Sequence, residues 1–184
     1  MKKSVCAVPG VLAIGWLALT THAFAQHAGH HPPAASSPYA GFETRAIKAL
    51  SDAQIADLKA GRGMGLALAA ELNGYPGPLH VLELADKLAL SDEQKTRMQV
   101  FIHAMKQEAI AIGEEVIAAE AALDRLFADK QVDAISLMKA TKAVAEAQGQ
   151  LRVAHLRYHL DTRAALSPEQ IENYAQLRGY VAQP

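Results

Sequence analysis

Histidine is the residue type in this chain whose placement could support chemistry. His27, His30 and His31 lie in one short stretch, and His80, His103, His155 and His159 are spread through the body of the chain. His155-Leu-Arg-Tyr-His159 sets two imidazoles at i and i+4, which on a helix is one face. That spacing can hold a borderline or soft transition metal such as copper, zinc or nickel. His27, His30 and His31 have metal-binding capacity of a different kind, because a flexible arm arranges its own ligands, opposed by the entropy of ordering it. If a helical hairpin turns near Lys130, His103 comes level with His155 and His159, and His80 and Glu83 belong near the same end. His103 falls opposite Phe101 and Met105, however, so it points away from the seam of such a hairpin. A three-histidine cluster inside one subunit is therefore disfavoured, and one formed across subunits stays open. The candidate metal residues are thus His27, His30, His31, His103, His155 and His159. Met64, Met98, Met105 and Met138 read as packing residues rather than ligands.

Catalytic signatures are absent from the sequence. No Gly-rich phosphate loop and no H-E-x-x-H is present, Asp161 follows His159 without a serine in a triad context, and the one cysteine, Cys6, lies near the start. The chain reads as a non-enzyme.

The elements that would position these residues are announced by one phrase written three times: Leu50-Ser-Asp-Ala-Gln54, Leu90-Ser-Asp-Glu-Gln94 and Leu166-Ser-Pro-Glu-Gln170. A serine at the N-cap accepts from an orphan backbone N–H, and the glutamine three residues on reaches back to the serine N–H, a capping box. Pro168 suits the first helical position. Upstream, Lys2 and Lys3, the apolar run Val8–Leu19 and Ala23-Phe24-Ala25 form a secretory leader, residues 1–25, cleaved after Ala25 and directing the chain to the periplasm. Its loss removes two lysines and no acid, taking the formal charge from −1 to −3. That charge gives no case for nucleic acid, and the remaining chain has no cysteine with which to make a disulfide.

Residues 26–41, rich in His, Pro, Ser and Ala, predict a flexible arm. Residues 42–78 predict short helices, including an apolar one from Met64 to Leu72 that stops at Asn73-Gly74 before Pro76-Gly77-Pro78. Residues 79–184 predict a helical domain. Val81, Leu84, Ala85 and Leu88 share a face; Met98, Phe101, Met105, Ala109, Ile112, Val116, Ala119, Leu123 and Leu126 form a long stripe; Leu137, Val144, Leu151 and Tyr158 form a second. Two stripes joined near Asp129-Lys130-Gln131 make an antiparallel hairpin. The fold class is all-α, a long helical hairpin with shorter flanking helices. The unpartnered apolar side of such a hairpin favours a homodimer.

With an export leader, a long hairpin and Leu90-Ser91-Asp92-Glu93-Gln94 and Leu166-Ser167-Pro168-Glu169-Gln170 bracketing it, the chain resembles the Spy/CpxP family, whose mark is the L-T-x-x-Q motif, here with serine for threonine. Leu90, Ser91, Gln94, Leu166, Ser167 and Gln170 carry the resemblance, which covers roughly residues 79–182 and leaves Gly61–Pro78 as an addition. It implies a cradle-like periplasmic dimer and two functions. Spy-like members hold unfolded client proteins without ATP; zinc- or nickel/cobalt-sensing members bind metal through a His/Glu/His/Met set. In the register of that sensor pattern the ligand positions fall on Tyr158 and Thr162 and near Val81 and Ala85, so that metal site does not transfer. The resemblance thus implies an ATP-independent chaperone linked to envelope or metal stress, or else a heavy-metal sensor or buffer, with docking on a membrane sensor domain as a further partner class. Lys139, Lys142, Arg152, Arg157 and Arg163 could supply a basic component to a client surface.

Overall fold

The computed structural model describes residues 37–181; the leader and residues 26–36 of the arm, with His27, His30 and His31, lie outside them. The described residues are helical: a 3-10 turn Phe42–Thr44, then α1 (Asp52–Lys59), α2 (Leu68–Glu71), α3 (Pro78–Glu83), α4 (Asp92–Ala128), α5 (Ala134–Ala164) and α6 (Pro168–Leu177). No strand occurs among them beyond an isolated bridge between Ile47 and Leu50. No helix of the described residues is long and apolar enough to cross a membrane.

All three expected capping boxes form. Ser51, Ser91 and Ser167 accept from the backbone N–H of Gln54, Gln94 and Gln170, and each glutamine returns the bond to its serine. A fourth box, Asp133 with Ser136, starts α5 and was not expected.

The hairpin is α4 against α5, 37 and 31 residues long. Its seam pairs Phe101 with Tyr158 and, nearer the turn, Glu120 with Gln148. One apolar cluster joins Ile47, Leu50 and Leu58 to Ala109, Val116, Ala147 and Leu151, so α1 covers the middle of the hairpin. Gly113 permits this, because a Cβ there would stand 2.6 Å from the Leu58 carbonyl oxygen. A second cluster, Val81, Leu88, Leu90, Met98 and Tyr174, locks α3 and α6 onto the end remote from the turn. The turn end is thinly covered, and Ile135, Leu137, Met138 and Phe127 are exposed there.

The Met64–Leu72 helix is shorter than its composition predicts. Gly63, Met64 and Gly65 lead into turns, with Met64 and Gly65 at positive φ, and regular helix holds only over Leu68–Glu71. Glycines flanking Met64 lower helix propensity and allow the left-handed turn.

Candidate functional site

His155 and His159 both face inward from α5 and are buried. The segment from Gly61 to Pro78 covers them. It crosses α5 as a loop, the short α2 and the turn Tyr75-Pro76-Gly77-Pro78, whose Pro76 and Pro78 are fully buried. Two α5 side chains anchor that turn. Arg163 donates to the Gly74 carbonyl and stacks 4.7 Å from the centre of the Tyr75 ring. His159 Nδ1 lies 2.7 Å from the Tyr75 carbonyl oxygen. A carbonyl only accepts, so Nδ1 donates in this contact. Gly77 fits against that ring, since a Cβ there would stand 3.0 Å from His159 Cε1.

Glu71 is the hub of this end. Its carboxylate, buried, accepts from the Tyr174 hydroxyl, from the Tyr180 hydroxyl at 3.0 Å and from the Gly77 N–H at 3.0 Å. His80 Nδ1 stands 3.3 Å from the same carboxylate and His159 Nδ1 3.7 Å from it. Burial pushes the Glu71 pKa up, but the bonds from Tyr174 and Gly77 and the neighbouring His80 outweigh it and hold the carboxyl below its ordinary value. Burial, then the bond to Glu71, pushes the Tyr174 phenol well up. Glu71 is therefore committed to binding protein donors.

His155 is the contrary case. It is 2 % exposed, and its Nε2 is buried with no hydrogen-bond partner in the structure. Burial, then the neighbouring His159, hold its pKa below the ordinary imidazole value against a smaller opposing pull from Glu108. The ring is neutral at pH 7 and so has a lone pair to offer. It lines a cavity of about 310 Å³ shared with Met64, Glu71, His80, Met105 and His159.

The structure thus gathers His155, His159 and His80 at one pocket and leaves His103 exposed on α4, outside it. Glu83 stands in the ion pair with Arg178 at 3.9 Å instead. Among the described residues no three His, Cys, Asp or Glu side chains are grouped to hold a metal ion. Met64, Glu71 and Met105 are the pocket residues that reading for histidine overlooks. Glu71 carried a signal, being the one charged residue in the apolar run from Met64 to Leu72.

The six motif residues form a second constellation. Gln94 Nε2 donates to the Gln170 side-chain oxygen at 2.8 Å and to the Ala165 carbonyl at 2.9 Å. Gln170 Nε2 donates back to Gln94 Oε1 at 3.1 Å and to the Leu88 carbonyl at 3.2 Å. Each glutamine caps its own helix with its oxygen and holds the other segment with its nitrogen. Leu90 is buried and Leu166 packs against the same cluster. The paired phrases fasten the starts of α4 and α6 to each other.

Of the five basic residues named for a client surface, Arg157 pairs with Glu108, Arg163 caps the Gly74 turn and Lys142 pairs with Glu146 at 3.5 Å.

A family model described as heavy-metal resistance matches residues 65–173. The match begins at Gly65, inside the segment that covers the histidines, and ends within α6. No curated protein and no solved structure matches the chain. With a match over more than half of its length, embracing the hairpin, the pocket and the paired Leu-Ser-x-x-Gln phrases, the chain belongs to the heavy-metal resistance family of Spy/CpxP-like helical proteins.

Proposed function

We propose that this is an exported, non-catalytic protein that binds heavy metal in the periplasm as a sensor or buffer, with the pocket at His155 as its binding site. One observation carries the reading: a buried imidazole nitrogen without a partner, on a side chain that lines a cavity. A polar atom left unsatisfied in a protein interior costs about 1–3 kcal/mol, and such atoms are rare enough to ask for a cause. A bound cation is a partner that would satisfy this one. The family match supports metal as the ligand class, and the neutral state of His155 favours coordination because no proton must be displaced.

The test is a thermal shift on protein recovered after export, with His27, His30 and His31 replaced by alanine so that only the body reports. At least one of copper, zinc or nickel should raise Tm, since a ligand that binds only the native state stabilises it, and His155→Leu should remove the shift. Equal Tm with and without every metal would overturn the reading.

A second reading, client holding by a homodimer, rests on apolar surface. Val153 and Leu160, seven residues apart on α5, are 61 % and 57 % exposed, and Val100 on α4 is 59 % exposed. With Arg152 beside them they offer the mixed apolar and basic surface that holds many unfolded proteins weakly. Suppression of light scattering by an aggregating client, lost in Val153→Glu/Leu160→Glu, is the expected result. No suppression at equimolar protein would sink it.

A further inference from the structure

The pocket at His155 contains too few nitrogen and oxygen ligands for the divalent metals that favour them. Glu71 is spent on two tyrosine hydroxyls and the Gly77 amide, and His159 is pinned by Tyr75 with its Nε2 edge against Gly77. A four-coordinate zinc or a nickel site assembled from these groups would have to break the contacts that hold α2, α3 and α6 together. His80 faces the Glu71 carboxylate through Nδ1, and among the described residues no three His, Cys, Asp or Glu side chains are grouped for a metal. The cavity lining also includes His155, whose Nε2 has no partner, and two methionines, Met105 on α4 and Met64.

Met64 is placed in a way that packing does not explain. It is 42 % exposed, so it contributes little to the core. Its backbone sits at φ 43°, the left-handed region that a residue with a Cβ occupies at a cost of about 1 kcal/mol or more. The glycines on either side relax the chain around it but leave that cost in place. A strained, half-exposed thioether at the lip of a cavity whose floor holds an orphan imidazole is a donor arrangement. Thioether sulfur is a soft ligand that discriminates for monovalent copper over zinc or nickel, and monovalent copper and silver accept two or three ligands.

We propose that this pocket is a site for a monovalent thiophilic cation, copper(I) or silver(I), bound by the Nε2 of His155 and the thioethers of Met105 and Met64. The proposal rests on the metal-binding reading above and narrows it from heavy metals in general to one class. It also accounts for the lack of a third nitrogen or oxygen ligand, since the class needs none.

The test uses protein recovered after export with His27, His30 and His31 replaced by alanine. Copper(I) is supplied against a competing chromophoric chelator, and silver(I), zinc and nickel are titrated separately. The expected result is one equivalent of copper(I) or silver(I) bound in preference to zinc and nickel, with a copper–sulfur distance in the X-ray absorption spectrum. Met64→Leu and Met105→Leu should each weaken copper(I) binding about tenfold or more, on the scale by which groups around a metal tune its affinity. Circular dichroism checks that each variant folds. Should Met105→Leu not fold, Met64→Leu decides the matter, because its side chain is half-exposed. Binding of zinc or nickel lost in His155→Leu, together with copper(I) binding unchanged in both methionine variants, would overturn the cation class and leave the general reading standing. No binding of any of the four metals would overturn both.

Discussion

Glu120 and Gly77 show how a single residue sets local stability, one by its charge and one by a missing side chain. Glu120, buried at the α4–α5 seam, accepts from Gln148 Nε2 at 3.1 Å. Burial raises its pKa above 4.5, so in the native state the charge is disfavoured relative to the unfolded chain. The unfolded state then releases its proton first as pH rises, and native stability falls across the window that starts near 4.5 and ends at the raised native value. Glu120→Gln keeps the acceptor and removes the charge. It should raise Tm at pH 7, and the gain should vanish below 4.5, where both forms are neutral; a gain that persists there would refute the assignment to charge. Gly77 makes the opposite point, that a missing atom can be structural. A Cβ would press on the His159 ring at 3.0 Å, so Gly77→Ala should cost about 1–3 kcal/mol as overpacking does. The His159 ring signals should shift in the NMR spectrum, and an unmoved ring with unchanged stability would show that the turn has room to give.

At the scale of elements, the repeated phrase is both the most legible feature and an incomplete guide. Its caps are local, set by a serine and a glutamine three residues apart, so each helix start could be read directly from the chain. The pairing of Gln94 with Gln170 could not, because it joins residues 76 apart through a fold that no local pattern specifies. Truncating either glutamine to leucine should cost about 1–3 kcal/mol, since a capping bond goes and the Ala165 or Leu88 carbonyl loses its donor. The double variant should cost less than the two single losses together, because their shared bonds are removed only once. Strict additivity in a urea-denaturation cycle would show that the two phrases act separately. The pocket was half legible in the same sense. The i, i+4 spacing put His155 and His159 on one face, as found. Within the covering segment the composition of Met64–Leu72 predicts an apolar helix, and the left-handed turn at Met64 that shapes the cavity lip depends on flanking glycines whose role appears only in three dimensions. Met105, on the expected seam stripe, gave no signal that its thioether also lines a cavity.

For the whole molecule, Glu71 is the point where the segment covering the histidines, the hairpin and the C-terminal helix meet. Through Gly77 it caps the turn before α3, through His159 it touches α5, and through Tyr174 and Tyr180 it holds α6 and the residues after it. Its lowered pKa means that ionisation and folding support each other. This stabilisation is fully present above 4.5 and is lost as pH falls through the depressed native value. Glu71→Ala removes the acceptor for the buried Tyr174 hydroxyl, the Tyr180 hydroxyl and the Gly77 amide at once, so the loss should reach about 3 kcal/mol, the scale of a charged hydrogen bond plus orphaned donors. The loss should also be uneven. The apolar cluster of Leu58, Ala109, Val116 and Leu151 does not touch Glu71, whereas α6 is bound to the hairpin mainly by Tyr174 in the second cluster and by the Gln94–Gln170 pair. Native-state hydrogen exchange on the variant should therefore show amides of α6 and of the Tyr75–Pro78 turn opening first, while the middle of α4 keeps its protection. Uniform loss of protection along the chain would instead mean that the hairpin and its cover unfold as one unit, with no separable latch at Glu71.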